Sequence, residues 1–274
     1  MKINIRKEIT ELSDEIYYYR RHFHKYPELS FKEFNTAETI SKYLKEFGIK
    51  HKKNVGKTGV VGEIYFGPGP TIALRADMDA LPMQEKSNLD YKSKNDGVMH
   101  ACGHDGHMAI LLGAAKSLSK NDTIKRGTVK FIFQPAEEGG GGARYMIEDG
   151  CLNDVDEIYG LHLWNYQKYG EVGLKTGPVM ASADIFEIEI LGKGGHGAAP
   201  QGTVDAIVVA SHLITILQTV VSRNTNPLEN TVLTIGKIKG GENFNVISDN
   251  VIMYGTTRAY SEKNRQMIKK RMEE

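Results

Sequence analysis

The segment that decides the fold begins with Thr71–Arg75 (TIALR), continues through Gly106–Leu118 (GHMAILLGAAKSL) and ends with Thr128–Gln134 (TVKFIFQ). The first and last pieces are short and β-rich, whereas the middle piece carries apolar residues at helical spacing. Alternation of strands and helices is typical of folds in which parallel strands form one sheet between helices. The sequence therefore predicts an α/β fold with a mostly parallel sheet.

Further elements continue this alternation on both sides of the segment. Amphipathic helices are predicted at residues 8–24, 31–47 and 142–148, and strands at 59–66 and 157–163. The second helix stops at a glycine, a residue that commonly ends helices.

The pattern changes near residue 183. From there the sequence predicts a strand at Ile185–Gly192, a helix at Ala206–Val221 and strands at Thr231–Ile238 and Val251–Tyr260. The order β-α-β-β-α is typical of a small α+β domain. The first of these strands alternates apolar and charged residues, which predicts a sheet with one solvated face. We therefore expect a larger domain over residues 1–182 and a smaller domain over 183–274.

Charge and composition indicate the class of partner. The formal net charge is +1, from 35 basic and 34 acidic side chains, so there is no electrostatic footprint for nucleic acid or an anionic membrane. The apolar run Ala206–Val221 contains polar residues such as Ser211 and Gln218, which favour an amphipathic helix over a membrane span. Two cysteines and an N-terminus, Met1–Lys7, without an apolar signal core predict a reduced, cytoplasmic protein that acts on a small molecule.

The stretch His100–His107 (HACGHDGH) places three imidazoles and a thiol where a loop meets a predicted helix. Such density is typical of a metal site. The Cys102 thiolate and the His104 imidazole are good ligands for zinc, with cobalt, nickel or manganese as alternatives. In the structural alternative, the histidines lie on a solvated loop and Cys102 is a small buried apolar residue.

Two later segments favour the metal. Glu137 and Glu138 follow a predicted strand, and as neighbouring like charges they would ordinarily prefer water. If Glu138 binds a cation, Glu137 can act as the general base for an attacking water. His162 also follows a strand, where it either binds metal or caps the sheet edge. Ligand sites of open α/β sheets lie beyond the carboxyl ends of strands, so position and chemistry agree.

Four other side chains lie near these segments in the sequence. Asp77 and Asp79 follow a strand and either make local turn hydrogen bonds or support a metal-binding His or the catalytic Glu. His24 belongs to a helix-ending turn, and Asp105 suits the N-cap of the next helix. Neither His24 nor Asp105 is assigned to the chemistry.

With these residues the chain resembles the metal-dependent aminoacylase and carboxypeptidase superfamily, in particular its N-acyl-amino-acid amidohydrolases. That branch includes hippurate hydrolase, auxin-conjugate hydrolases and N-acetyl-diaminopimelate deacetylase. The resemblance runs along nearly the whole chain. Besides the His100–His107 cluster, the motifs that carry it are Arg20–His24 with Pro27–Leu29, Leu74–Pro82, Gln134–Glu138 and Gly194–Pro200.

The resemblance implies a catalytic domain over residues 1–182 that holds two divalent metal ions. The implied metal ligands are Cys102, His104, Glu138 and His162. Glu137 is implied to be the general acid and base, and Asp79 matches the aspartate that orients the site.

The resemblance further implies that the smaller domain is a lid inserted into the catalytic domain. His196, Asn245 and Arg258 match positions that contact the substrate, and Arg258 is suited to clamp a carboxylate. The alternatives are structural: in them His196 is only a residue of a Gly-rich turn, Asn245 a residue of a local turn, and Arg258 an exposed cation on a strand. A homodimer through the lid is also implied.

One departure from the resemblance concerns length. Relatives return from the lid to complete the catalytic domain, and the returning segment carries a fifth metal ligand, a histidine. No histidine follows His212 here, and the sequence stops at Glu274, so we expect a catalytic domain that is incomplete at its C-terminus. The predicted activity is hydrolysis of N-acyl-L-amino acids, with acetyl or benzoyl as the acyl group. A metallo-carboxypeptidase or dipeptidase and an inactive metal-binding fragment are the alternatives.

Overall fold

A five-stranded sheet with helices forms the first of two units. The computed structural model describes residues 6–274, and its chain divides after Lys168 into two units. The segment Met1–Ile5, part of the N-terminus on which the cytoplasmic prediction rests, lies outside the described residues. The elements of the first unit are α1 (Lys7–Thr10), α2 (Ser13–Lys25), α3 (Phe34–Glu46), β1 (Lys50–Val55), β2 (Gly59–Gly67), β3 (Thr71–Asp77), α4 (His104–Ser119), β4 (Gly127–Gln134), α5 (Gly142–Glu148) and β5 (Glu157–Gly160).

The sheet of the first unit has the order β1-β2-β4-β3-β5. Strands β4, β3 and β5 are parallel, and β2 is antiparallel to both β1 and β4. Four strands therefore run in one direction and only β2 runs in the other, which confirms the predicted mostly parallel α/β sheet. Strand β1 (KHKKNV) was not predicted because it is polar; it is an edge strand, where lysines remain solvated and discourage pairing with other chains.

The core of this unit lies between the sheet and helices α2, α3 and α4. Phe131 and Phe133 of β4 and Leu112 of α4 are fully buried in it. The helix predicted over residues 8–24 is divided into α1 and α2, and α2 packs against α4. At this contact Ile16 lies over Gly113, where an added Cβ would come within 2.8 Å of Ile16 Cδ1.

The second unit is built on an antiparallel sheet of three strands, in the order β6-β10-β8. Along β6, Phe186 and Ile188 are half-buried while Ile185 and Glu187 are exposed, which confirms the predicted solvated face. The elements of this unit are β6 (Ser182–Leu191), β7 (Gly195–His196), a 3₁₀ turn (Pro200–Gly202), α6 (Ala206–Asn224), β8 (Thr231–Gly240), β9 (Val246–Ile247), β10 (Asn250–Ala259) and α7 (Glu262–Glu273).

Helix α6 is the apolar helix for which a membrane span was considered. By length and composition it could cross a membrane, but core helices pass the same test. Two features support the amphipathic interpretation, which stays a prediction. Leu217 and Val220 are buried in the core of the second unit, and the Ser211 hydroxyl donates to the Val208 carbonyl at 2.7 Å.

The division into two domains also stays a prediction. The predicted boundary, between residues 182 and 183, falls at the start of β6. Compactness instead divides the chain between Lys168 and Tyr169, ahead of that strand. No described helix or strand covers residues 161–181, so both positions fall in or next to the same connecting segment.

Candidate metal centre

The candidate metal-binding side chains lie where strands of the first unit end or α4 begins. His104 is the first residue of α4, and Gly103 caps the helix with a left-handed φ of 92°. Glu137 and Glu138 follow the end of β4, and His162 follows the end of β5. Because β4 and β5 flank β3 as parallel neighbours, their carboxyl ends meet at one edge of the sheet.

Three overlapping groups of potential ligands share His104, and two of them contain the ligands that the resemblance implies. The ligand atoms of Cys102, His104 and His162 lie within 4.8 Å of one another, and so do those of His104, Glu137 and Glu138. Cys102 Sγ is 3.4 Å from His162 Nε2, and His104 Nε2 is 3.8 Å from Glu138 Oε1. The four ligands implied by the resemblance, and Glu137 with them, therefore gather around one imidazole.

Unpaired buried atoms show that this arrangement fits a cation. His104 Nδ1 lies 2.8 Å from the carbonyl oxygen of Asp79, so it carries the proton and leaves the lone pair on Nε2. That Nε2 atom and Glu138 Oε1 are buried without a hydrogen-bond partner among residues 6–274. Buried polar atoms normally have a partner. Since a divalent cation would satisfy both, the thiol, imidazole and carboxylate donors fit a metal such as zinc.

His100 does not join this arrangement. Its side chain is buried, and neither ring nitrogen has a hydrogen-bond partner in the part of the chain that the structure describes. Burial lowers the pKa of His100 to about 4, so the ring is neutral at physiological pH. Of the three imidazoles in the predicted cluster, His104 is the one that belongs with the proposed ligands.

Asp79 holds the two glutamates through their backbone. Its Oδ1 and Oδ2 atoms accept hydrogen bonds from the N–H groups of Glu137 and Glu138, each at 3.0 Å, and Ser30 Oγ donates to Oδ2 at 2.7 Å. Burial opposes ionisation of Asp79, but these hydrogen bonds and that of His104 lower its pKa below the ordinary value. Asp79 is interpreted from the sequence either as a residue of a local turn or as support for the site, and these contacts favour the second interpretation.

Glu33 is a participant that the sequence did not reveal. The side chain is fully buried, and it accepts hydrogen bonds from the Ala136 N–H at 2.9 Å and from the Thr58 hydroxyl at 2.6 Å. Burial raises its pKa. Together with Asp79 it fixes three successive backbone N–H groups, at residues 136 to 138. A single glutamate at the start of a predicted helix carries no pattern that separates it from a solvated one.

Ionisation in the cluster suits proton transfer at Glu137. Burial, followed by the charge of Glu138, raises the pKa of Glu137. Burial, followed by the hydrogen bond with Glu138, raises the pKa of Cys102 to about 12. The thiol is thus protonated at neutral pH when no cation is bound, and binding a cation must displace that proton.

The suggestion that Asp105 caps α4 is wrong. Gly103 is the N-cap, and Asp105 points instead to α2, where it lies 2.9 Å from His24 Nδ1 and 3.2 Å from Arg20 Nε. His24 Nε2 lies 3.3 Å from Glu85 Oε1. A buried imidazole between two carboxylates therefore supports the start of α4, directly beside the candidate ligand His104.

Comparison with models of protein families identifies the family of this chain. The model of the peptidase family M20/M25/M40 matches residues 73–272. The chain belongs to this family.

Individual relatives agree with the family. The chain is 50% identical over 264 residues to an N-acetyl-L-cysteine deacetylase of Bacillus subtilis, with 96% of the chain and 64% of the relative covered. It is 43% identical to an N-acyl-L-amino acid amidohydrolase of Geobacillus stearothermophilus, with 99% and 74% covered. A solved dinuclear metal-binding peptidase of the M20 family from Bacillus subtilis matches with a TM-score of 0.80 at 41% identity, over 96% of this chain and 68% of that one. The chain thus spans 64% of the first relative's length.

The residues expected to contact substrate in this M20/M25/M40 family member lie in the second unit. His196 of β7 pairs with Val246 of β9, and the Gly197 N–H donates to the Asn245 carbonyl at 2.8 Å. The turns that carry His196 and Asn245 therefore lie together near the start of β10. Arg258 is eight residues after Asn250 in this strand, roughly 27 Å away at the rise of an extended chain. It donates to the Thr257 carbonyl at 2.8 Å, so within this unit Arg258 is separate from the other two.

Proposed function

We propose that this protein is a metal-dependent hydrolase of N-acyl-L-amino acids, releasing a carboxylic acid and a free amino acid. The observation that carries the proposal is the cluster around His104, with its unpaired Nε2 atom beside the unpaired Glu138 Oε1 atom. The names of the relatives, an N-acetyl-L-cysteine deacetylase and an N-acyl-L-amino acid amidohydrolase, support the substrate class.

The proposed metal ligands are Cys102, His104, Glu138 and His162, which would hold two divalent ions. When bound, such ions supply Lewis-acid polarisation of the amide carbonyl and a lower pKa for the attacking water. The thiol and the two imidazoles favour zinc, with manganese, cobalt or nickel as alternatives.

Glu137 is the proposed proton carrier. Its side chain is 43% exposed, so a reacting water and a leaving group can reach it. Burial and the charge of Glu138 raise its pKa, which makes it a stronger proton acceptor than an ordinary glutamate. It takes one proton from the water as the oxygen forms a bond to the amide carbon. It then delivers that proton to the amide nitrogen as the carbon–nitrogen bond breaks. Asp79 keeps Glu137 in place through the backbone N–H.

The remaining assignments belong to the same proposal. His196, Asn245 and Arg258 are proposed to contact the substrate, with Arg258 binding its carboxylate. We also propose a cytoplasmic homodimer formed through a lid over residues 183–274. In support of association, Ile207, Val208 and Ile216 of α6 are between 47% and 60% exposed, and clustered exposed apolar side chains mark interaction surfaces.

The experiment that tests the function combines metal content with a substrate panel. N-acetyl- and N-benzoyl-amino acids are compared with dipeptides, with zinc, manganese, cobalt or nickel supplied. Glu137→Gln is expected to reduce turnover by about 10²- to 10⁴-fold, the usual contribution of a general base, while metal content stays unchanged. The matched control is Glu148→Gln, because Glu148 is an exposed glutamate of α5 whose side chain bonds Arg144.

Two results would contradict the proposal. Turnover of dipeptides but not of N-acyl-amino acids would assign the protein as a dipeptidase or carboxypeptidase. Metal binding without hydrolysis of any substrate would favour an inactive metal-binding protein. Equal turnover by Glu137→Gln and Glu148→Gln would leave the hydrolase in place and remove Glu137 as its base.

A further inference from the structure

The third imidazole of the cluster, His107, has no role in the proposed chemistry. Its ligand atom lies within 4.8 Å of those of Asp77 and His104, so by proximity it could be a metal ligand. We infer instead that His107 is a positioning residue, which holds the peptide after His162 and thereby aims the His162 ring. The inference rests on the proposed metal centre, because it assigns His162 as a ligand.

Both nitrogens of the His107 ring are already engaged. Nδ1 lies 2.6 Å from Asp77 Oδ1, and Nε2 accepts a hydrogen bond from the Leu163 N–H at 2.9 Å. Because Nε2 accepts the Leu163 N–H, it carries no proton, so the ring proton resides on Nδ1 and is donated to Asp77. The lone pair on Nε2 is used by Leu163 and is not available to a metal.

Leu163 connects His107 to His162. The Leu163 carbonyl oxygen lies 2.7 Å from His162 Nδ1, so Nδ1 donates to it and the lone pair is on Nε2. That Nε2 atom lies 3.4 Å from Cys102 Sγ. Leu163 therefore links the two rings: its N–H bonds to His107, and its carbonyl oxygen bonds to His162. The rings of His107 and His162 also meet edge to face, with centroids 4.7 Å apart.

The pairing of β5 with β3 ends at Gly160, two residues before His162. Residues 157–164, which include all of β5, are exposed, so burial does not fix where His162 lies. The Leu163 side chain rests on the first turn of α4, where an added Cβ on Gly106 would come within 2.4 Å of Leu163 Cδ1. Leu163 therefore contacts α4 in two ways. Its side chain packs on Gly106, and its N–H bonds to the His107 ring.

Two substitutions separate the two hydrogen bonds of His107. In His107→Gln the amide oxygen can occupy the position of Nε2 and accept from the Leu163 N–H. In His107→Asn the amide nitrogen can occupy the position of Nδ1 and donate to Asp77, but the shorter side chain does not reach Leu163. The probe is Co²⁺ alone. The quantities measured are its stoichiometry, its dissociation constant and the charge-transfer absorption of a cobalt–thiolate bond from Cys102.

His107→Asn is expected to weaken cobalt binding by about 10- to 100-fold at unchanged stoichiometry, the usual effect of losing a group that orients a metal ligand. His107→Gln is expected to bind cobalt nearly as tightly as the unchanged protein. Loss of one cobalt equivalent in both variants would make His107 a ligand and overturn the inference. Equal affinity in all three proteins would also overturn it.

A second variant covers the case in which His107→Asn fails to fold, as judged by Trp164 fluorescence. Leu163→Pro removes the N–H that donates to His107 Nε2 and leaves His107 in place. It is expected to weaken cobalt binding in the same way, whereas unchanged affinity would contradict the inference. Failure of the proposed metal centre is distinguishable, because the unchanged protein would then bind no cobalt at all.

Discussion

The two units of the molecule bury different kinds of side chain. Among the described residues of the second unit, no ionisable side chain is buried, and its buried polar side chains are Thr257 and Asn264. Among its described residues, the first unit buries nine side chains that carry a carboxylate or an imidazole: His24, Glu33, Asp77, Asp79, Glu85, His100, His104, Asp105 and His107. Burying such groups is costly unless they are paired. The first unit therefore contains the machinery of a site, whereas the second is held together by ordinary apolar burial.

Pairing explains how the first unit tolerates these groups. Asp77 is bonded to His107, Asp105 to His24, and Asp79 to backbone N–H groups of residues 137 and 138. Among the described residues of the first unit, the unpaired buried side-chain atoms belong to His100, His104 and Glu138, in and beside the proposed metal centre. Among the described residues, buried charge is therefore confined to the unit that holds the proposed site.

The largest expected effect breaks the pairing in the first unit. His24→Gln removes the imidazolium between Asp105 and Glu85, which are both buried, and we expect a loss of about 3 kcal/mol in the free energy of unfolding, as for other broken buried ion pairs. The measurement is denaturant unfolding followed by the fluorescence of Trp164, the single tryptophan, with a chelator present so that metal binding does not contribute.

The same variant has a pH signature. The hydrogen bond that His24 donates to Asp105 raises the pKa of His24 above its ordinary value of 6.5, and burial opposes the shift only in part. The stabilisation is therefore fully present below pH 6.5 and is lost as the pH rises through the raised pKa. The difference between His24→Gln and the unchanged protein should shrink in that direction; a difference that grows with pH would contradict the assignment of a charged His24.

An intermediate effect is expected from the apolar core of the second unit. Met253 is fully buried on β10, and Met253→Ala should cost about 2 kcal/mol, the lower end of the usual range, through lost burial and the cavity left behind. Hydrogen exchange of the β10 amides reports on this unit by itself. The matched control is Ile185→Ala, because Ile185 is 85% exposed on β6; comparable effects of the two variants would mean that β6 and β10 do not bury the faces described.

The smallest expected effect comes from charge in the second unit. Glu187 lies on the solvated face of β6, and Glu187→Gln should change stability by less than about 0.5 kcal/mol, as surface substitutions usually do. Thermal unfolding followed by circular dichroism is sufficient to measure it. A loss as large as that of His24→Gln would show that the second unit also depends on charge and would remove the contrast between the units.

The long periodic elements were predictable, and so was the gathering of the proposed ligands. Helix α5 spans residues 142–148 as predicted, and β2 and β4 begin or end within a residue of their predicted limits. These elements bury apolar residues at the spacing of a helix or strand, and that spacing is visible in a sequence. His162 and Glu138 meet because each follows a strand of one sheet, a rule that also applies to sequences.

Other features were not predictable from the local pattern. Strand β1 is polar and is held by pairing with β2, which its own residues do not indicate. Asp105 was expected to cap α4 but bonds His24, a residue 81 positions away. The partners of such side chains come from distant parts of the chain, so a local sequence pattern does not indicate them.

The sequence by itself determined the α/β class, the two kinds of sheet, the family and the residue types available for a metal centre, because periodicity, composition and motifs are properties of neighbouring positions. Only the tertiary structure decided which of the three imidazoles of the His100–His107 cluster lies with the proposed ligands and which atoms are left unpaired. Among the described residues, His104 Nε2 has no hydrogen-bond partner, whereas His107 Nε2 accepts a hydrogen bond from the Leu163 N–H. The physical reason is that a ring nitrogen has one lone pair, and the partner that takes it is fixed by the packing of segments far apart in the chain.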